Sequence, residues 1–148
     1  MFAYDVTKNP LNNNEWSFPM AECIHIIGFT LSIGTIAIVD LRLLGLALRR
    51  QPVAQLAKDM APWTLAGLAI MLTSGPIIFS SDPLMYLYNL SFRFKISALL
   101  LAILFNYTIH RKVALSSHPS PALGMVVGAL SLALWVSVVA GGLFIAFV

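Results

Sequence analysis

Four long apolar blocks constrain the fold of this chain more than any other feature of its sequence. We expect them at about residues 20–48, 62–80, 92–110 and 122–148. Each block can cross a bilayer as a helix, which takes about 20 apolar residues for a hydrocarbon core about 30 Å thick. A helix is required because backbone N–H and C=O groups find no water inside the lipid. The sequence therefore predicts an all-α integral membrane protein, a four-helix transmembrane bundle at 20–148 that follows a polar segment at 1–19.

The composition excludes several classes of function. Of the 148 residues, 59% are apolar and 10% are charged, whereas a soluble domain is about half apolar and a quarter charged. We therefore expect neither a soluble enzyme nor a nucleic-acid partner. The single cysteine, Cys23, excludes an internal disulfide and a four-cysteine zinc site. No phosphate-binding loop, His-Glu-x-x-His or Gly-x-Ser-x-Gly motif occurs. Without Cys-x-x-Cys-His, any haem would be a non-covalent b haem.

The distribution of basic residues predicts the orientation in the membrane, because positively charged loops stay in the cytoplasm. Six of the nine Lys and Arg residues fall on one side of the expected bundle: Arg42, Arg49, Arg50, Lys58, Arg111 and Lys112. The other three are Lys8, Arg93 and Lys95. We therefore expect both termini on the outer, periplasmic side of a bacterial inner membrane, in a multi-pass protein. The expected outer aromatic belt contains Trp16, Phe18, Tyr86 and Tyr88, and the connection at 49–61 is expected along the inner interface.

Ionisable side chains at lipid depth cost free energy and therefore indicate a role. With a rise of 1.5 Å per residue, His25 of the first helix and Lys95 of the third fall into one outer layer. A second, inner layer lies roughly 20 Å away and contains Asp40, Arg42, Asn106 and His110. These two layers contain the candidate functional residues.

The outer layer has the chemistry of a haem site. Small residues follow each nitrogen ligand on its helix face: Gly28 and Ser32 after His25, and Ala98 after Lys95. Two such faces could leave a flat slot between the first and third helices, which is the shape of a porphyrin. Imidazole is a common axial ligand of haem iron, and a neutral lysine amine can also ligate it. The same faces suit ordinary helix packing, and Lys95 can instead snorkel to the headgroups.

A copper site is a weaker alternative at the same end of the first helix. Thiol, thioether and imidazole groups suit Cu(I), and Cys23, His25 and Met20 lie close together in sequence. However, Cys23 and His25 are about 200° apart around a helix, so they do not easily share one metal.

The inner layer allows two interpretations. Asp40 can pair with His110 or Arg111 across helices, while Arg42 reaches lipid phosphates, which gives an ion-paired cluster that orients the helices. Alternatively, Asp40, Asn106 and His110 form a redox or quinone site. His118 precedes a proline in a polar loop and is expected to be solvated.

Two stretches carry a resemblance to a known group. Residues 25–29 are a histidine followed by a glycine-containing apolar helix, and residues 92–95 are an aromatic-x-Lys start that runs on toward Asn106 and His110. They resemble the group that includes the HemJ-type protoporphyrinogen oxidases and the copper-resistance CopD domain. In the HemJ-type proteins the matching His and Lys are associated with b haem, so the resemblance implies that role for His25 and Lys95, with Arg93 beside the site. Residues 39–45 also resemble uncharacterised small bacterial membrane proteins.

Three functional hypotheses follow. The first is a membrane redox protein that holds b haem between the first and third helices and passes electrons between a periplasmic partner and quinone. The second is a non-catalytic accessory or assembly subunit of a larger membrane complex. The third is a copper or small-solute handling protein. In each case we expect an oligomer or a subunit of a complex, because the short loops leave little soluble surface.

Overall fold

The computed structural model describes residues 4–116 and 120–147. Four of its helices are long and apolar enough to cross a membrane. They are α1 (Ser17–Leu43), α2 (Val53–Phe79), α4 (Leu90–Ala114) and α5 (Pro121–Leu143), and a short helix, α3 (Pro83–Tyr88), precedes α4. The expected all-α, four-helix membrane architecture is therefore confirmed. His118 lies outside the described residues.

The first helix ends earlier than expected, at Leu43 instead of residue 48. Gly45 adopts a positive φ of 72°, which only glycine adopts without strain. The N–H of Leu46 donates to the carbonyl of Leu41, and the N–H of Gly45 donates to that of Arg42. This is the Schellman arrangement that closes a helix C-terminus. Hydropathy predicts a later helix end because the residues after Gly45 are still apolar.

The second helix begins earlier than expected, at Val53 rather than at Pro62. Residues 53–61 form its first turns, so the connection between the two helices is shorter than the expected 49–61. A proline inside an apolar block favours a helix boundary, but here Pro62 and Pro76 both lie within the helix. Pro62 has no N–H, so the carbonyl of Lys58 lacks its partner within the helix.

The third spanning helix, α4, changes its winding near its inner end. It is α-helical over Leu90–Phe105, forms a π-helical turn over Asn106–His110, and returns to α-helix over Arg111–Ala114. Asn89 begins it, because its side-chain oxygen accepts from the N–H of Phe92 at 2.9 Å. A π turn is rare and often marks a functional site.

Small residues set the helix packing. A Cβ on Gly67 of α2 would lie 2.5 Å from the backbone nitrogen of Ser32 and 2.7 Å from the carbonyl oxygen of Gly28, so α1 and α2 are in direct backbone contact. Small residues also bring the last helix close to α1. A Cβ on Gly128 would lie 3.0 Å from the carbonyl oxygen of Asp40, so α5 packs closely on α1.

The N-terminal segment is tied to one end of the bundle, which we call the outer end. Asn9 donates to the carbonyl of Ser80 at 2.6 Å and to the hydroxyl of Tyr4 at 2.8 Å. Tyr86, expected in an exposed aromatic belt, is instead 7% exposed. Its ring packs against those of Phe79 and Phe92, with centroids 6.0 and 5.2 Å away, and this burial raises the pKa of its hydroxyl.

Candidate functional site

The centre of the inner half is a buried pair of Asp40 and His110. Asp40 comes from α1 and His110 from the π turn of α4, and the distance between Asp40 Oδ1 and His110 Nε2 is 2.6 Å. Asp40 is 0% exposed and His110 is 5% exposed. Of the two partners that the sequence allowed for Asp40, the structure selects His110 rather than Arg111.

The other two residues of the expected inner layer have different positions. Asn106 is buried one π turn before His110 and contacts the same cavity. Arg42 does not join this site. Its Nε donates to the backbone carbonyl of Gln51 at 2.7 Å, near the exposed connection between α1 and α2.

A cavity of about 420 Å³ lies between α2 and the inner part of α4, and His110 forms part of its wall. Binding sites for small molecules occupy about 300–1,000 Å³ and combine an apolar lining with a few polar groups. This cavity follows that pattern. Its polar lining residues are Lys58, Thr64, Asn106, Tyr107, His110 and Arg111, and its apolar lining includes Ile36, Val39, Met60 and Leu65. We call it the dyad cavity.

Irregular helix geometry occurs on both walls of the dyad cavity. Pro62 lies on the α2 wall together with Lys58, whose carbonyl has lost its helical N–H partner. The π turn supplies Asn106, Tyr107 and His110 on the α4 wall.

The charges around the dyad cavity are positive. Lys58 and Arg111 line it from opposite helices, and no carboxylate belongs to its lining. Within residues 4–116 and 120–147, neither of these two cations forms a salt bridge. The cavity thus presents two cations, a buried imidazole and three neutral polar side chains, Thr64, Asn106 and Tyr107, to any occupant.

The outer layer is arranged around His25. Its Nδ1 lies 2.8 Å from the hydroxyl oxygen of Ser74. That hydroxyl donates its own hydrogen to the carbonyl of Ile70 at 2.6 Å, so it accepts from His25. The proton is therefore on Nδ1, and Nε2 carries the free lone pair, which is the form that ligates a metal. Lys95 is close enough for its charge to act on His25.

The small residues expected to line a haem slot have other roles. Gly28 and Ser32 pack against α2: a Cβ added to Gly28 would lie 2.7 Å from the Ile70 side chain, and one added to Gly67 would lie 2.5 Å from the backbone nitrogen of Ser32. Ala98 is buried in the core. Neither of the two cavities that stand out among the described residues touches these side chains, and Arg93 is exposed. The outer layer therefore supplies an imidazole ligand but no open slot for a porphyrin beside Gly28 and Ser32.

The lysine of the outer layer lies against the last helix. A Cβ added to Gly141 would lie 3.0 Å from Lys95 Cβ, and one added to Gly142 would lie 3.5 Å from Lys95 Nζ. These glycines let the lysine chain lie along α5. Its aliphatic part is thus packed against protein instead of extending freely into lipid.

The copper hypothesis gains no ligand cluster. Cys23 is exposed, and Met20 is 57% exposed. In the part of the chain that the structure describes, no three His, Cys, Asp or Glu side chains come together as a metal-binding group.

Sequence reasoning missed three contributors to the dyad cavity. From the sequence, Lys58 indicates only topology, Pro62 marks the start of a helix, and Tyr107 has no predicted role. A usable signal was present, because a proline inside a long apolar block and a polar run at 106–108 both interrupt otherwise regular helices.

These observations define the class of the molecule. It is a four-helix, multi-pass membrane protein with a ligand-sized cavity beside a buried carboxylate–imidazole pair. The chain belongs to the family of unknown function DUF6644, whose family profile matches residues 17–148. This match confirms the expectation of an uncharacterised family of small membrane proteins. No curated protein and no solved structure matches the chain.

Proposed function

We propose that this protein binds a quinone-class molecule from the bilayer in the dyad cavity and exchanges protons with it. The observation that carries the proposal is that the buried His110, paired with Asp40 at 2.6 Å, forms part of the cavity wall. An ionisable pair at lipid depth costs free energy and marks proton or ligand sites in membrane proteins. The pair would be an expensive feature for a helix bundle that has only to pack.

The lining of the cavity suits a quinone head. A quinone presents two carbonyl oxygens on an apolar ring, and these oxygens need hydrogen-bond donors. Asn106, Tyr107 and Arg111 provide donors on one wall, and Met60 and Leu65 provide apolar contact on the other. The same cations, Lys58 and Arg111, would stabilise negative charge that develops on the ring during reduction.

The pair can supply one of the protons that such chemistry requires. Reduction of a quinone to a quinol consumes two electrons and two protons. His110 can give one proton to a quinone oxygen as the ring is reduced, the second proton comes from water, and the Asp40 carboxylate stabilises the imidazolium form before the transfer. In this proposal the electrons come from a redox protein that docks on the bundle. The protein is then one component of a membrane oxidoreductase.

A binding experiment tests the proposal. The protein in lipid nanodiscs is titrated with short-chain ubiquinone and menaquinone analogues by calorimetry. Asn106→Leu removes a donor from the cavity and should weaken binding about tenfold, since a factor of ten corresponds to about 1.4 kcal/mol. Thr108→Val, on an exposed face of the same helix, is the matched control and should bind like wild type. Absence of binding, or equal losses in both variants, would overturn the proposal.

A b-haem site at His25 is the second candidate function. The resemblance to the HemJ and CopD group implies the same site. The fixed Nδ1–H tautomer, which leaves Nε2 free, supports it. A haem held there would supply one-electron redox chemistry and would require α1 and α2 to rearrange around Gly28. A spectrum of the purified protein tests it: a b-type band that His25→Ala removes and His110→Gln retains supports haem. A colourless protein from haem-replete cells excludes it.

The remaining hypotheses follow from other outcomes. A protein that binds neither quinone nor haem but copurifies with a stoichiometric membrane partner is an accessory subunit. Tight Cu(I) binding that Cys23→Ser abolishes would indicate copper handling. We further propose that the protein lies in a bacterial inner membrane with both termini outside, because six of its nine basic residues fall on the opposite side.

A further inference from the structure

Three buried polar atoms near the centre of the bundle have no hydrogen-bond partner. They are Asp40 Oδ2, Ser131 Oγ and Trp135 Nε1. Their side chains are 0%, 1% and 1% exposed. Buried polar atoms without a partner are uncommon, and several that lie close together often bind an internal water.

Asp40 Oδ1 is used by His110, which leaves Oδ2 as the free oxygen. Ser131 lies within hydrogen-bonding range of the Asp40 carboxyl, yet neither its Oγ nor Asp40 Oδ2 makes a hydrogen bond of good geometry. Trp135 follows Ser131 by four residues in α5 and therefore lies on the same helix face.

The chemistry of these atoms fits one water molecule. A carboxylate oxygen accepts, an indole N–H donates, and a hydroxyl does both. A buried water typically makes about three hydrogen bonds.

We propose that a water molecule is bound between Asp40 Oδ2, Ser131 Oγ and Trp135 Nε1, and that this water makes Asp40 a proton store. The proton moves from His110 Nε2 to Asp40 Oδ1, which leaves a neutral imidazole and a neutral carboxylic acid. The water donates to Oδ2 while the carboxylate is charged, and it holds the acid in place after proton transfer. The proposal deepens the quinone proposal and rests on it only for the destination of the proton.

Infrared spectroscopy of the ligand-free protein in nanodiscs tests the water directly. Asp40→Asn identifies the carboxyl bands of Asp40. Exchange into H₂¹⁸O should shift a water O–H stretching band in wild type, and Ser131→Ala should lose this band and shift the Asp40 carboxyl bands. Ser137→Ala, a half-buried serine of the same helix whose hydroxyl donates to the carbonyl of Ala133 at 2.8 Å, should leave both unchanged.

Two results would overturn the proposal. One is a wild-type spectrum without an ¹⁸O-sensitive internal water band, together with unmoved carboxyl bands in Ser131→Ala. The other is an Asp40 carboxyl band that shifts when choline replaces sodium in the buffer, because this shift would show that a sodium ion occupies the site. If Ser131→Ala does not fold, Ser131→Cys keeps the side-chain size and weakens the hydrogen bond. Quinone is absent from these samples, so failure of the quinone proposal leaves this test unaffected.

Discussion

At the residue scale, the main feature of the molecule is one carboxylate at lipid depth, where an unpaired charge is energetically unfavourable. Asp40 is fully buried, and His110 reaches it from another helix. Moving a charged pair out of water costs several kcal/mol per ion, which good geometry repays only in part. A merely structural role could be filled by two apolar side chains. The buried pair beside the cavity is consistent with the proton chemistry that we propose for this site.

Removing one member of the pair should destabilise the protein more than removing both. His110→Leu leaves Asp40 buried without its partner and should lower the free energy of unfolding by about 3–5 kcal/mol. Asp40→Leu combined with His110→Leu should recover most of this loss, because no buried charge remains. Denaturant unfolding in detergent micelles, followed by tryptophan fluorescence, measures both. Equal destabilisation by the single and double variants would contradict this account.

At the element scale, α1 and α2 behave as one unit because their backbones touch. Gly28 and Gly67 permit this approach, as small residues do in membrane helix pairs. The contact involves the face of α1 that contains Gly28 and Ser32, which the sequence pattern assigns to a haem slot. The same pattern of small residues is therefore compatible with helix packing and with a cofactor site. Two irregularities elsewhere, Pro62 and the π turn at Asn106–His110, shape the dyad cavity instead.

Gly67→Ala should separate this helix pair. The added Cβ would lie 2.5 Å from a backbone nitrogen of α1, and backbone atoms cannot turn aside as a flexible side chain can. We expect a loss of about 1–3 kcal/mol in the free energy of unfolding. Gly34→Ala is the control, since nothing lies within 4 Å of its added Cβ, and alanine there should be neutral or stabilise by up to about 1 kcal/mol. A destabilised Gly34→Ala, or an unaffected Gly67→Ala, would refute the contact.

The N-terminal 3₁₀ turns are a second element whose attachment can be tested. Asn9 joins them to the end of α2, and its side-chain oxygen also accepts from the N–H of Leu11 at 2.9 Å. Asn9→Ala should reduce the hydrogen-exchange protection of the Leu11 amide by roughly tenfold, as expected for the loss of about 1.4 kcal/mol of hydrogen bonding. The exposed Asn13, whose side chain makes no hydrogen bond within the described residues, gives the control variant Asn13→Ala. Equal protection in both variants would show that Asn9 does not hold the segment.

At the scale of the whole molecule, the start of the first helix and the end of the last helix lie on the same side of the bundle. Asn9 bonds the end of α2 at Ser80, and the side chain of Asn89, before α4, donates to the carbonyl of Ile145 at 2.9 Å. The start of α1 and the end of the last helix therefore share the outer end. Between the two ends, lipid-facing leucines and isoleucines cover the helices, as expected for a small bundle in a bilayer.

Cysteine labelling in intact cells tests the orientation. In a Cys23→Ser background, Asn13→Cys places a thiol at the outer end and Gln51→Cys places one between α1 and α2, both at exposed positions. A membrane-impermeant maleimide should label Asn13→Cys in intact cells and Gln51→Cys only after lysis, because basic loops stay in the cytoplasm. The reverse pattern would overturn the orientation and place the dyad cavity in the outer half of the membrane.

The candidate site was only partly accessible from the sequence. Asp40, Asn106 and His110 were assigned to one layer because depth follows from position in a helix of constant rise. Their partners were not assigned, since Asp40 and His110 are 70 residues apart and the π turn changes which face of α4 His110 occupies. Lys58, Pro62 and Tyr107 were missed for the same reason, because a cavity is a property of two helices and neither one contains it alone.

The sequence by itself determined that this protein is a helical, four-span membrane protein, because hydropathy and backbone hydrogen bonding are local and lipid permits no other solution for such blocks. It also determined which polar residues lie at lipid depth. Only the tertiary structure decided that Gly28 and Ser32 pack on α2, that Tyr86 is buried, and that Asp40 meets His110 beside a cavity. Those outcomes depend on close backbone contacts and helix irregularities, whose effects appear only when distant segments are packed together.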